Sequence, residues 1–204
     1  MNDRPSRLGL LGGTFDPIHI GHLIMATRAA ETLNLDQILF IPAQVPPHKL
    51  GEDIASVTDR VAMVRLAIAE NSRFAFSDLD LQSDRPSYTS ELLARVHREH
   101  PDSELWFIAG ADSLRDFASW HEPQTILQYA RLAIASRPGV EITDKILDQV
   151  TGLRQQVDFF DSPLIDISST DIRCRTRRCQ EIRYLVPENV ERYIAANHVY
   201  NRDG

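Results

Sequence analysis

Short, continuous apolar runs alternate along the chain with stretches whose apolar residues recur every three or four positions. That rhythm predicts βα units around a parallel sheet. Residues 7–11 (RLGLL), 37–42 (QILFIP), 104–109 (ELWFIA) and 131–136 (RLAIAS) read as strands buried on both faces, because their apolar character does not alternate. Residues 73–79 read as a further strand, and 157–160 and 164–167 as two short ones. Helices are predicted over 20–33, where Leu23, Ala26, Ala30 and Leu33 keep helical spacing, and over 57–69, where Val61, Val64, Leu66 and Ile68 supply the stripe. Residues 89–100 read as a helix capped by Ser87 or Thr89, and 142–153 as another. A short helix runs from near Asp112 toward Trp120, and Pro123 opens a second. From Ser169 onward the chain is helical, with Pro187 at the start of the last helix.

The expected architecture is α/β: a Rossmann-like, doubly wound, mostly parallel sheet with helices on both faces and a helical C-terminal segment. Neither an internal repeat nor a linker interrupts it. Residues 1–204 read as one domain, with a core over 8–168 and the helical segment over 169–204.

Composition narrows the field. With 204 residues, 43% of them hydrophobic and 25% charged, the chain is long and apolar enough to close a core without disulfides. Twenty-two basic residues against 29 acidic ones leave a net charge of −7, which argues against bulk nucleic-acid binding. Small anions held in a local pocket are not excluded by that balance. Two cysteines, Cys174 and Cys179, make no disulfide framework, and reduced thiols in a cytoplasmic protein are expected. No apolar run is long enough for a signal peptide or a membrane span.

The chemistry concentrates between the first strand and first helix, in Gly12-Gly13-Thr14-Phe15-Asp16-Pro17-Ile18-His19-Ile20-Gly21-His22. Gly12 and Gly13 let a phosphate approach the backbone, and the following helix N-terminus favours negative charge. His19 and His22, three apart, project to one side of a first helical turn. With no carboxylate beside them to complete a metal site, they suit phosphate oxygens. Neither Gly-x-x-x-x-Gly-Lys nor Gly-x-Gly-x-x-Gly is present, which disfavours a P-loop ATPase and a dinucleotide-dependent dehydrogenase.

GGTFDPIHIGH resembles the signature of the nucleotidylyltransferase superfamily, whose HxGH motif class I aminoacyl-tRNA synthetases share in looser form. From Leu8 to about Tyr200 the chain is similar to the bacterial nicotinate-nucleotide adenylyltransferases. The resemblance implies adenylyl transfer from ATP to nicotinate mononucleotide, giving deamido-NAD and diphosphate in NAD biosynthesis. It implies catalytic roles for His19, His22, Lys49 of the Pro46-Pro47-His48-Lys49 segment, and Arg173 of the Ile167–Arg173 segment ISSTDIR. ATP would be held by Gly12, Gly13, Thr14, Phe15, Gly110, Asp112, Ser169 and Thr170, with Mg²⁺ carried mainly by substrate phosphates and water. Tyr88, Thr89, Trp120 and Arg137 would surround the mononucleotide: Trp120 stacks on the electron-poor pyridinium, and Arg137 of Ser-Arg-Pro-Gly holds the phosphate.

Taken singly, several of these have ordinary readings. His19 reads as a helix cap, Lys49 as a solvated lysine, Asp112 as an N-cap and Trp120 as core. His97, His100, His121 and His198 carry no assignment. A phosphopantetheine adenylyltransferase or cytidylyltransferase would keep HxGH but leave Tyr88-Thr89, Trp120 and SRPG unexplained. A class I synthetase would need a tRNA-binding domain and a KMSKS loop. A non-catalytic nucleotide sensor would bind ATP without releasing diphosphate. One departure stands out: Cys179 occupies a position where the family commonly has glycine, and an altered helix exit is expected there. The partners expected are ATP and the mononucleotide, with neither nucleic acid nor membrane, and the question of a homo-oligomer stays open. An acidic chain binding two anions implies a basic pocket built locally.

Overall fold

Along β4 (Glu104–Gly110), Leu105, Phe107 and Ala109 join one hydrophobic cluster while Trp106 and Ile108 join a second. The same two-residue period sorts β2 (Gln37–Pro42), with Ile38 and Phe40 in one cluster and Leu39 and Ile41 in the other, and β5 (Arg131–Ser136), with Ala133 and Ala135 against Leu132 and Ile134. Successive strand side chains point to opposite faces, so an unbroken apolar run means a strand covered on both. The computed structural model describes residues 5–45, 54–82, 86–136 and 142–200.

With β1 (Arg7–Gly13), β3 (Phe74–Phe76) and β6 (Val157–Asp161), these strands form a six-stranded sheet in the order β3-β2-β1-β4-β5-β6. Every pairing is parallel. One face is covered by α1 (Ile20–Thr32), α2 (Val57–Ile68), α7 (Ser169–Arg177) and α8 (Glu188–Ala196), whose Ala26, Ala30, Met63, Val64, Ile172, Val190 and Ile194 share one core. The other is covered by α3 (Thr89–Glu99), α4 (Ala111–Arg115), α5 (Pro123–Tyr129) and the region of α6 (Asp144–Leu147). Strand order reverses between β1 and β4. In a doubly wound sheet ligands bind beyond the carboxyl ends of the strands at that point.

Several expected elements differ. β3 stops at Phe76, because Asp78 accepts from Leu81 N–H and the chain turns into a 3₁₀ segment over Leu79–Gln82. The helix expected over 142–153 is one turn long: Gly152 is left-handed at φ 83°, and Leu153–Gln155 forms a 3₁₀ turn. Residues 164–167 form no strand; they follow edge strand β6, Pro163 has no N–H, and Leu164 is exposed. The stretch from Asp112 to Trp120 divides into α4 and a 3₁₀ turn at Phe117–Ser119. Helix caps shift by a residue or two: Tyr88 occupies the cap of α3, and Gly110, not Asp112, that of α4. On α2 the fully or largely buried positions are Arg60, Met63, Val64 and Ile68, while the predicted Val61 and Leu66 are only half-buried. An arginine thus occupies a core position.

Cys179 does not alter the exit of α7. It takes a left-handed φ of 54°, its N–H donates to Thr176 and the Gln180 N–H to Arg175, the two bonds of a Schellman cap. A non-glycine residue there costs about 1 kcal/mol of backbone strain. No helix among the described residues is long and apolar enough to cross a membrane.

Candidate active site

A cavity of about 780 Å³ opens at the switch point. Gly12, Gly13 and Thr14 line it from the end of β1, Ile41 and Ala43 from the end of β2, Ala109 and Gly110 from β4, and Asp112 from the first turn of α4. His22 and Met25 of α1 reach it from one side, and Tyr88, Thr89, Trp120 and His121 from the other. The volume falls in the range of small-molecule sites.

His22 and His19 act as a pair. The His19 N–H donates to His22 Nδ1 at 3.2 Å, and the rings stack with centroids 3.7 Å apart. With Nδ1 accepting, the His22 proton sits on Nε2, which makes that nitrogen a donor. Burial lowers the His19 pKa to about 4, and burial with His19 beside it holds His22 well below its usual value. Both rings are therefore neutral at pH 7. Only His22 lines the cavity; His19 is buried behind it, Nδ1 enclosed without a partner. Gly21 makes this possible, since a Cβ there would sit 3.1 Å from the His19 ring.

Behind the glycine loop lies a buried polar knot that sequence reading did not find. Asp16, with no exposed surface, accepts at Oδ1 from the Ala55 N–H (3.1 Å) and the Tyr200 hydroxyl (2.9 Å). Arg173 Nη1 donates to the Asp16 carbonyl at 2.9 Å and lies 3.4 Å from Oδ2. The Tyr200 hydroxyl stays protonated, its pKa raised by burial and by the neighbouring Asp16 charge. Ser169 Oγ donates to the Pro17 carbonyl at 2.9 Å, and the Ile20 N–H donates to Leu185. Arg60, equally enclosed, donates to the carbonyls of Thr14, Ala43, Gln44 and Ala55.

Of the predicted residues, the structure gathers Gly12, Gly13, Thr14, His22, Tyr88, Thr89, Gly110, Asp112 and Trp120 around one space. Arg173 and Ser169 are engaged by the loop itself, Thr170 by Arg173 at 3.3 Å, and the Phe15 side chain is core, 6.0 Å from Phe40. Lys49 and Arg137 lie outside the described residues. The expectation of a basic pocket needs correction on this point. Among the described residues, the lining includes Asp80, Asp112, Asp116 and two neutral or exposed histidines but no lysine or arginine. Arg173, expected to face substrate, is behind the wall, holding it.

At the far end Trp120 packs edge-on to Phe107 at 5.9 Å, partly exposed and lining the cavity. Two residues there went unassigned in the sequence. His121 stacks on Tyr88 at 4.2 Å and bonds Ser90 Oγ at 3.2 Å through Nδ1. Asp80 is buried with its pKa raised, chiefly by desolvation. His121 adjoins Trp120 in sequence, the one signal that pointed to it.

A doubly wound α/β fold with a glycine loop, a helix N-terminus and neutral imidazole at its switch point defines a nucleotide-binding protein. The cytidylyltransferase-like family matches residues 10–175. A chain from Thermomicrobium roseum named "Probable nicotinate-nucleotide adenylyltransferase" is 46% identical over 196 residues, covering 96% of this chain and 92% of the relative. One of the same name from Desulfitobacterium hafniense is 41% identical over 203 residues, covering 98% of each. The chain belongs to the cytidylyltransferase-like family, among its nicotinate-nucleotide adenylyltransferases. In fold it is similar to the Plasmodium falciparum nicotinic acid mononucleotide adenylyltransferase solved with APC, at TM-score 0.78 and 20% identity, covering 96% of this chain and 97% of that one.

Proposed function

We propose that the protein transfers the adenylyl group of ATP to nicotinate mononucleotide, releasing diphosphate and forming deamido-NAD. The observation that carries this reading is the single cavity whose one end is a glycine loop with His22 and whose other end is Tyr88, Thr89 and Trp120. Two substrates can meet in it, one by its phosphates and one by its ring.

In the reaction a phosphate oxygen of the mononucleotide attacks the α-phosphorus of ATP in line, and the bond to the β-phosphate oxygen breaks. The attacking oxygen is already anionic, so no general base is needed. Catalysis is positioning and stabilisation of charge as it moves toward diphosphate. His22 donates from Nε2 to a phosphate oxygen, and His19 holds that ring in place. Gly12, Gly13 and Thr14 offer backbone to the triphosphate; Asp112, Gly110, Lys49, Ser169 and Thr170 complete the ATP site. Tyr88, Thr89, Trp120 and Arg137 receive the mononucleotide.

No three His, Cys, Asp or Glu side chains among the described residues come together to hold a metal. Asp112, which pairs with Arg115, and Asp116 are exposed lining carboxylates, so a Mg²⁺ there would take most of its ligands from phosphate oxygens and water. Such an ion supplies charge neutralisation to the departing diphosphate. Free Cys174 and Cys179 support a cytoplasmic setting.

The test is diphosphate release from ATP with nicotinate mononucleotide, its amide and phosphopantetheine in parallel. Release with the first is expected, and release with phosphopantetheine alone overturns the reading. His22→Ala should lower kcat by about 10²–10³-fold, the effect of losing one preorganised donor. Near-normal turnover would remove His22 from the mechanism.

A further inference from the structure

Arg60 is the largest side chain with no exposed surface, and no described carboxylate forms an ion pair with it. Its guanidinium instead serves four backbone carbonyls, two of them at 2.8 Å: Thr14, just after β1, and Ala43, just after β2. Both residues line the cavity. Arg60 therefore ties the two lips of the cavity together from behind.

The direction of those bonds matters. In a planar trans peptide the C=O and the following N–H point opposite ways. The Thr14–Phe15 bond is trans. Its carbonyl faces Arg60, so the Phe15 N–H points the opposite way, away from the guanidinium. No described residue accepts a hydrogen bond from the Phe15 N–H. The Ala43–Gln44 peptide behaves alike: its carbonyl is on Arg60 while the Gln44 N–H faces Asp80, itself in the cavity wall. We propose that Arg60 is a positioning residue for phosphate recognition, fixing the Thr14 and Ala43 carbonyls so that the Phe15 N–H is aimed into the phosphate end of the cavity. Lysine cannot do this, because one ammonium lacks the planar fork that reaches carbonyls on two separate segments. The proposal rests on the adenylyl-transfer reading for its ligand, not for its geometry.

The experiment compares wild type with Arg60→Lys by calorimetric binding of inorganic diphosphate and of adenosine, with thermal melting to establish that the variant folds. Diphosphate affinity should fall about tenfold or more while adenosine affinity stays within about twofold. Unchanged diphosphate binding in the folded variant overturns the proposal. So does an equal loss for both ligands, which would make Arg60 a general scaffold. A second measurement needs no variant: in wild type, diphosphate should shift the Phe15 amide resonance. A Phe15 amide that does not move, or a wild type that does not bind diphosphate, overturns the proposal even if Arg60→Lys fails to fold. Wild type that binds diphosphate as described yet forms no product from ATP and nicotinate mononucleotide defeats the functional reading alone.

Discussion

At the glycine-loop end of the cavity, Thr14, Asp16 and Pro17 are held by partners 46, 39, 157, 152 and 184 positions away in the chain. At the aromatic end, Trp120 leans on Phe117 three residues back, Ser90 is tied to His121 and the Ser87 N–H to the Val45 carbonyl, and none of these ties reaches α7 or α8. The first end is fixed by buried hydrogen bonds drawn from α2, α7 and the last described residue. The second is fixed by local ring contacts near the surface. Phosphate geometry tolerates little displacement, and in-line attack requires it to be right before the substrates arrive. A planar ring can be received by any flat face at about the right distance. The same cavity therefore has a stiff half and an adaptable half, and substitutions should separate them.

The largest effect is expected at Asp16. Asp16→Ala leaves Arg173 enclosed without its counter-charge and frees Tyr200 and Ala55, and breaking such a pair costs about 3–5 kcal/mol. Thermal melting should show a Tm lower by about 10 °C, given the response of domains this size. A drop of only a degree or two would mean that the knot contributes little and that the stiff half is held by packing.

Acid should loosen the same half next. Unfolded His19 takes up a proton near its ordinary 6.5, while the folded residue resists until about 4. The unfolded state binds more protons in that window, so the stability His19 supports is intact above about pH 6.5 and declines as pH falls toward 4, by on the order of 3 kcal/mol in total. Unfolding free energy measured against pH should fall less steeply for His19→Asn, which keeps a capping side chain, than for wild type. Parallel curves would contradict the assignment of a neutral, buried His19.

The adaptable half should respond least. Trp120→Ala is expected to raise the KM for the mononucleotide by about 2- to 30-fold, the worth of a ring stack on a cation, with Tm nearly unchanged. A fall in kcat larger than the rise in KM would show that this end, too, positions the reacting atoms.

The difference between the halves also decides what the sequence could disclose. Strand β5 and strand β2 were legible to the residue because each is an unbroken apolar run buried on both faces, with Gln37, Arg131 and Ser136 marking where the run gives out. The cavity-lining residues were legible where chemistry is local, as in Gly12, Gly13 and His22 or in Tyr88 and Trp120. Arg60 was not. Helical periodicity treats arginine as a solvent-facing residue, and only the arrival of Thr14, Ala43 and Ala55 carbonyls at one point makes its burial tenable. Arg173 misled in the opposite sense, since a conspicuous cation near a phosphate motif suggests contact, yet its hydrogen bonds go to Asp16 and Thr170. The helix expected over 142–153 stops at Leu147, and the left-handed Gly152 opens a separate 3₁₀ turn that a pattern of apolar residues does not register.

The bond from Tyr200 to Asp16 has a bearing on how the protein comes into being. A ribosome delivers the chain N-terminus first, so the glycine loop emerges well before Tyr200. Until Tyr200 leaves the exit tunnel, Asp16 lacks one of the partners that seal it, and α7 and α8 must already have docked for the hydroxyl to reach it. A chain interrupted before Tyr200 carries every lining residue of the cavity described above and still lacks part of what holds them still.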